Sequence, residues 1–453
     1  MFKFLNKALS SEKIQTIEQQ VAAAADGSDE DAAWKALQPL LRAQRHQQEA
    51  AESVVRIVKD GRLSMDHSLS ALADTYASNR DDSTLVASIG AALEMARDID
   101  QLNAAPPEHP LFLAVVDQLT AIADTLKGHE DEVTILDGLS SAARMVARQR
   151  DDIALRSYKR LVEIDATYSA YHYNLGLFYK TRGRFHEGML ANQMAASLNS
   201  EPVESYEWNL GICATGAGEG AAALDVWKRM SQKIEMGRFN LPDGGYPECK
   251  VRLAERPLAE RDAGDDDPGL EETIWIQRLS PCHGIIRSVL YHDLGVNFGD
   301  AVLIDGAPIT YHTYGDKEIP VFPHLATLVR SNYQFYDFAG TQDEDGKLES
   351  ASDELEQDSV IYSHTENFQT LCASCWRDPD IDHDQHIREE KHVVTGRIAA
   401  PPGIPPQQLL DQVGKAVASK GSCSIYAPDL CEAAGLSDRA RVERRRYEML
   451  KNN

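Results

Sequence analysis

The first half of the chain, from about residue 11 to residue 233, carries apolar residues at steps of three and four positions. Leu85, Ile89 and Leu93 follow these steps, which place side chains on one face of a helix. Glycine, proline and small polar residues interrupt the pattern at intervals, as expected where helices end. No alternating pattern typical of strands occurs between these breaks. We therefore expect an all-α N-terminal half.

The second half has short runs of β-branched and aromatic residues between turn residues, and such runs predict strands. Asp305-Gly306 is a sequence typical of a hairpin turn. The acidic segment 343–358 predicts a mobile surface loop. Helix-like spacing occurs in three segments, at 323–330, 406–418 and 428–447. Strands and helices together predict an α+β domain with a mixed or antiparallel sheet.

The apolar pattern stops between the two halves. Residues 241–247 contain proline and glycine, and half of residues 262–269 are aspartate. A solvated linker at 234–272, acidic at its end, is the prediction. A chain of 453 residues suits several domains. The expected order is a region of degenerate helical hairpins at 1–150, a repeat region at 151–233, the linker, and the α+β domain at 273–453.

One short sequence occurs twice in the repeat region. Tyr173-Asn174-Leu175-Gly176 returns thirty-five residues later as Trp208-Asn209-Leu210-Gly211. Each copy begins an apolar helix that a second apolar helix follows. Repetition at this period predicts a solenoid of helical hairpins, in which a glycine lets the paired helix approach closely.

These two copies resemble the tetratricopeptide repeat family over about residues 151–233. Leu-Gly in each first helix and small residues such as Ala195 and Ala223 in each second helix match its pattern. Asn192 departs from it, because an aromatic residue is usual there. The resemblance implies a groove that binds a partner peptide or protein, with contacts from Tyr173, Asn174, Lys180, Trp208 and Asn209. The alternative for Tyr173 and Trp208 is that they only pack.

Composition limits the classes of partner. The net charge of −25 argues against non-specific binding to nucleic acid and to anionic membrane surfaces, since both carry negative charge. No apolar run approaches the roughly 18–20 residues that span a bilayer, so we expect no membrane insertion. Seven cysteines in a chain of this length suit reduced thiols. The expected location is the cytoplasm.

A cluster of cysteines and histidines lies in the predicted α+β domain. Cys372 and Cys375 have the two-residue spacer of zinc ligands, and His383 and His386 could complete a structural Cys₂His₂ site. Two alternatives stay open. The cysteines could be ordinary buried residues beside surface histidines, or they could form a redox dithiol.

The leading hypothesis is an interaction or adaptor protein, with the α+β domain as a second interaction module. The alternative is an enzyme or effector that uses Cys282 or the Cys/His metal site, with the repeats recruiting its substrate. Cys282 and His283 are adjacent, so in an extended segment their side chains point to opposite faces and cannot act directly as a nucleophile–base pair. The sequence leans away from an enzyme.

Overall fold

A computed structural model describes residues 11–27, 29–41, 110–129, 132–146, 148–314, 317–342, 344–364 and 393–451. The chain forms two compact units, and each unit combines segments that are not consecutive in the sequence. The first unit combines three segments: Met1–Tyr179, Leu190–Tyr206 and Arg261–Asp266. The second unit combines the other three: Lys180–Met189, Glu207–Glu260 and Asp267–Asn453.

Helices make up the regular structure of the described residues before 233. Their bounds are α1 (Ser11–Asp26), α2 (Glu30–Leu41), α3 (Pro110–Thr125), α4 (Glu132–Met145), α5 (Asp151–Ile164), α6 (Ser169–Thr181), α7 (Phe185–Ser197), α8 (Glu204–Gly216) and α9 (Gly220–Arg229). The predicted helical N-terminal half is confirmed for this part of the chain. Residues 42–109, which the pattern also predicts to be helical, lie outside the described residues.

The two copies of the repeat form two helical hairpins, α6 with α7 and α8 with α9. In the second hairpin, a Cβ on Gly211 would come within 2.5 Å of the Trp227 ring. In the first hairpin, a Cβ on Gly176 would collide with the side chain of Asn192. Asn192 and Trp227 are thirty-five residues apart and fully buried, so both fill the same position of the repeat. The close approach predicted for the glycines is therefore present in both copies.

The first unit has a continuous apolar core. Leu119, Ile135 and Leu161 have no exposed surface, and each comes from a different helix. The core extends from α1 to the part of α7 that belongs to this unit. Burial of this apolar surface is what stabilises the stack of helices.

Among its described residues, the second unit contains two larger sheets and a two-stranded ribbon. The strands are β1 (Glu235–Met236), β2 (Pro242–Asp243), β3 (Cys249–Ala254), β4 (Glu271–Ser280), β5 (His283–Ile286), β6 (Ala301–Ile304), β7 (Thr310–Tyr314), β8 (Lys317–Val329), β9 (Gln334–Thr341), β10 (Val360–Ser363), β11 (Val393–Ala400) and β12 (Ser424–Tyr426).

The six-stranded sheet closes on itself. Its order is β3-β4-β5-β6-β8-β7, and β3 also pairs with β8 in parallel, with Lys250 opposite Val321. The sheet is therefore mixed and barrel-like. Two expectations need correction here. The segment 234–272, predicted as a linker, contains the buried strand β3. The segment 323–330, predicted as helical, lies in β8 as far as Val329.

The four-stranded sheet is antiparallel, in the order β10-β11-β9-β12. Three helices accompany it, α10 (Pro406–Ser419), α11 (Pro428–Ala433) and α12 (Ser437–Lys451). The α+β character predicted for the C-terminal part is confirmed. Within 343–358, residues Glu349–Glu354 form a 3₁₀ helix, and Leu348 and Ala351 are fully buried in the core of this sheet. That segment is thus packed, although its composition predicted a loop.

Membrane insertion can be checked on the helices. In the part of the chain that the structure describes, no helix combines the length and the apolar character that a bilayer span requires.

Candidate functional site

Lys180, one of the five predicted contact residues, lies at the end of α6 and is only 3% exposed. Its Nζ donates to Oδ1 of Asn209 at 2.7 Å and lies 2.8 Å from Oδ2 of Asp305. Asn209 is also buried, at 6% exposure. The ammonium and the amide oxygen predicted to face a partner therefore bind each other, and the ammonium also binds a carboxylate of the same unit.

Trp208 packs in the same place. Its ring lies edge-to-face with Trp227 at a centroid distance of 5.3 Å, and a Cβ on Gly306 would come within 3.1 Å of it. The Asp305-Gly306 turn thus lies against the second hairpin. It was predicted as a hairpin turn, but β6 pairs with β5 and β8, and β7 pairs with β8. In this structure the turn occupies the place expected for a ligand.

Tyr173 and Asn174, in the first unit, are half-buried. The Tyr173 ring stacks on Tyr206 at a centroid distance of 4.7 Å, with the ring planes inclined by 31°. The Tyr206 hydroxyl lies 3.4 Å from Oγ of Ser169. The pair joins the first helices of two successive hairpins. Tyr206 was not among the predicted contact residues. The repeat period gave a signal for it, because Tyr206 lies thirty-five residues after Tyr171.

Cys282, the candidate nucleophile, is fully buried. Its Sγ lies 3.4 Å from Oγ1 of Thr215, and burial raises the pKa of the thiol to about 11. A thiol in this environment is neither ionised at neutral pH nor open to a substrate, and both are needed for nucleophilic catalysis.

His283, next to it, bonds to the hydroxyl of Ser280. Its Nδ1 lies 2.5 Å from Oγ of Ser280, and burial lowers the pKa of the imidazole to about 4. Nε2 of His283 is buried and has no hydrogen-bond partner among the described residues. Oγ of Ser280 also lies 3.8 Å from Sγ of Cys282. The Cys282 and His283 side chains therefore share the Ser280 hydroxyl and do not bond to each other, while Thr215 is a second partner of Cys282.

A cleft of about 420 Å³ lies in the second unit between the β5–β6 and β8–β9 connections. Its lining contains neither cysteine nor histidine. Its charged groups include Arg397, which donates to Asp337 at 2.8 Å, and Asp300, which accepts from Ser331. The cleft thus does not provide the Cys or His chemistry that the enzyme hypothesis requires.

The predicted zinc ligands Cys372, Cys375, His383 and His386 lie outside the described residues. Within the described ranges, no group of three potential ligands from His, Cys, Asp and Glu converges. A structural zinc ion therefore remains a prediction from the sequence.

Comparison of the sequence with protein-family profiles gives no match, and comparison with curated protein sequences gives none either. Solved structures do give matches. MamA from Desulfovibrio magneticus shares 16% identity, with 41% of this chain and 93% of that chain covered and a TM-score of 0.29. PilF from Pseudomonas aeruginosa shares 11% identity, with 48% of this chain and 92% of that chain covered and a TM-score of 0.28.

A tetratricopeptide repeat protein from Parabacteroides merdae shares 13% identity over 49% of this chain and 93% of its own, with a TM-score of 0.22. These neighbours have tetratricopeptide-type folds, and this chain contains a tetratricopeptide-like segment. Likeness at these TM-scores says nothing about what the chain binds. The assignment of the segment rests on its own hairpins, period and glycine contacts.

Proposed function

We propose that this chain is a protein-interaction protein, in which the tetratricopeptide-like hairpins bind a partner peptide or protein. The observation that carries this proposal is the stacked pair of Tyr173 and Tyr206 on successive first helices, half-buried rather than fully packed. Tyrosine gives a large, stiff and amphipathic contact area at low entropic cost, which is why it is frequent where binding energy is concentrated. Asn174, half-buried beside Tyr173, adds an amide that can bond to a peptide backbone.

Three other predicted contacts already have partners within the chain. They are Lys180, Trp208 and Asn209. They hold the chain's own Asp305 turn, so a partner reaches them only by displacing that turn. We propose the sheet-rich second unit as a second interaction module, stabilised by a structural zinc ion at Cys372, Cys375, His383 and His386. A cytoplasmic location fits the cysteines of the described residues that form no disulfide, which are Cys213, Cys249, Cys282, Cys423 and Cys431.

Affinity capture with quantitative mass spectrometry tests the groove. The bait carries Tyr173→Ala and Tyr206→Ala together, and the matched control carries Tyr311→Ala, because Tyr311 is a 55% exposed tyrosine of the second unit. We expect a set of proteins that the control retains and the double variant loses. The partner found should then bind the double variant at least tenfold more weakly in a titration. Equal capture by the unaltered chain, the Tyr311→Ala control and the double variant refutes the proposal.

A further inference from the structure

The cleft of the second unit measures about 420 Å³, which is within the range of small-molecule sites, roughly 300–1,000 Å³. Residues of the β5–β6 and β8–β9 connections line it, together with residues of β9, β11 and α11. Its walls therefore combine loops of the barrel-like sheet with parts of the four-stranded sheet and one of its helices. Neither Tyr173 nor Tyr206 belongs to its lining, so the proposed peptide contacts do not account for it.

Two side chains of the lining have hydrogen-bond donors without an acceptor among the described residues. Oδ1 of Asn297 accepts from the backbone N–H groups of Leu290 and Phe298, at 3.2 and 2.9 Å, so the orientation of the amide is fixed and its NH₂ group is left without a partner. The Arg330 side chain is 47% exposed, and its Nη1 lies 3.8 Å from Oδ2 of Asp300, too far for a hydrogen bond. Both groups line the cleft and can donate to a ligand.

The aspartates of the lining supply acceptors whose charge is mostly compensated. All but one of them lie within 3.8 Å of an arginine, and the pairs are Asp300 with Arg330, Asp337 with Arg397, and Asp429 with Arg444. The exception is Asp293, which makes no ion pair within the described ranges and accepts from the N–H of Gly295 at 3.1 Å. A paired carboxylate keeps lone pairs that accept hydrogen bonds, but it exerts little net attraction on a cation.

An aromatic surface completes the lining, because Tyr333 and Phe335 are half-buried there. The Tyr333 ring packs on Phe298 at a centroid distance of 5.2 Å, and its hydroxyl donates to the carbonyl oxygen of Asp358 at 3.3 Å. A Cβ on Gly299, which has φ of +87°, would come within 2.8 Å of this ring, so the glycine makes room for it. The ring is thereby held in place while part of it faces the cleft.

We infer that this cleft binds a neutral carbohydrate. Each hydroxyl group of a sugar both donates and accepts, so it can bond to the carboxylates and to the donors of Asn297 and Arg330 at the same time. The C–H groups on the face of a sugar ring pack on an aromatic face, whose quadrupole is negative. A free anion is repelled by Asp293 and a free cation by Arg330, whereas a neutral ring meets neither repulsion. This binding site goes beyond the proposed function and shares no residue with it.

The first test is an array of immobilised neutral, sulfated and sialylated oligosaccharides, probed with the fluorescently labelled full chain. We expect binding to one or more of the neutral oligosaccharides. The one that binds best is then titrated in free form by isothermal titration calorimetry. Inorganic phosphate, spermidine and glutamine serve as anionic, cationic and zwitterionic competitors, and none of them should displace it. Binding to charged oligosaccharides alone, or to none, overturns the inference.

Variants of the two donors locate the site. Asn297→Asp keeps an oxygen for the N–H groups of Leu290 and Phe298 and loses the amide donors, whereas Arg330→Gln removes an exposed guanidinium. We expect each to weaken binding of the titrated sugar about tenfold, as for a lost hydrogen bond. Arg441→Gln is the matched control, because it makes the same change in net charge at a side chain that is 69% exposed and lies outside the cleft. Equal affinities of these three variants overturn the inference.

The aromatic contact and the groove have separate readouts. Tyr333→Leu removes the ring and should weaken sugar binding, while Tyr333→Phe keeps the ring and should bind almost normally. Thermal unfolding checks that both variants fold, and the donor variants decide the question if Tyr333→Leu does not. The double variant Tyr173→Ala with Tyr206→Ala should bind the sugar like the unaltered chain. If it loses the sugar, the sugar occupies the groove and the inference is wrong, whereas loss of the protein partner alone concerns only the proposed function.

Discussion

The buried ion pair between Lys180 and Asp305 gives the sharpest prediction. The Lys180 side chain is 4% exposed and that of Asp305 is 16% exposed, and their charged atoms are 2.8 Å apart. Lys180→Met removes the charge and keeps the apolar stem. The Asp305 carboxylate is then left without its cation while still largely shielded from water. Oδ1 of Asn209 also loses the hydrogen bond that it accepts from Nζ of Lys180.

Removing one partner of a buried ion pair costs about 3–5 kcal/mol, because the remaining charge is no longer compensated. The unpaired amide oxygen of Asn209 adds roughly 1 kcal/mol. The partial exposure of Asp305 reduces the first figure, so we expect a loss of about 3 kcal/mol in the free energy of unfolding. The double variant Lys180→Met with Asp305→Leu should recover most of that loss, since apolar pairs often replace buried ion pairs at little cost.

Urea unfolding followed by tryptophan fluorescence measures these changes, because Trp208 and Trp227 lie in the hairpin concerned. The matched control is Lys228→Met, which breaks an ion pair to Glu235 between side chains that are 46% and 82% exposed. Exposed pairs contribute about 0–1 kcal/mol, so the control should unfold almost like the unaltered chain. If Lys180→Met is no more destabilising than Lys228→Met, the Asp305 turn is not held in solution as the structure has it.

Three further predictions concern the repeat, a buried histidine and the metal. Gly211→Ala should destabilise the chain by about 1–3 kcal/mol, because the new methyl group overpacks against Trp227. Gly414→Ala, with nothing within 4 Å of its Cβ, should stabilise α10 by about 0.5–1 kcal/mol. Equal melting temperatures of the two variants would contradict this. Burial lowers the pKa of His283 from 6.5 to about 4. Between these two pH values the unfolded chain binds the proton and the folded chain does not, so the free energy of unfolding should fall as the pH drops from 6.5 to about 4. His283→Asn should flatten this part of the pH profile, and an unchanged slope would show that the imidazole is not buried. Elemental analysis after metal-replete purification should find one zinc ion per chain, lost in Cys372→Ser but kept in Cys423→Ser, and a content near zero for the unaltered chain ends the zinc hypothesis.

The helical hairpins could be predicted because their signals are local. A period, a Leu-Gly pair and an apolar face all lie within one stretch of sequence, and the glycine contacts followed from them. Strand β8 could not be predicted in the same way, because Phe322, Leu325 and Ala326 have the spacing of a helix face. Its pairing with β3, β6 and β7 overrides that local preference.

The buried strand β3 was missed for a related reason. The alternation of Lys250 and Arg252 with apolar residues is typical of a strand, but it is short. The segment around it contains many polar and turn residues, and these favoured a linker. Both cationic side chains are nevertheless buried, at 6% and 4% exposure. At the candidate site the sequence identified Lys180 and Asn209 as polar residues of the repeat. It could not indicate that Asp305, about a hundred residues later, supplies the carboxylate that binds Lys180. That contact forms only when distant parts of the chain pack together.

Residues Arg261–Asp266 belong to the first unit although strands of the second unit precede and follow them. Arg148 explains this placement, since its guanidinium lies 3.2 Å from Asp266 and donates to the carbonyl oxygen of Arg261. The polypeptide therefore alternates between the two units, and it changes from one to the other inside α6, α7 and α8. A gene fragment that stops at residue 233 lacks both partners of Arg148, and one that begins at residue 273 lacks β3. Neither fragment therefore contains all the packing partners of its unit, and we expect neither to fold as it does in the full chain.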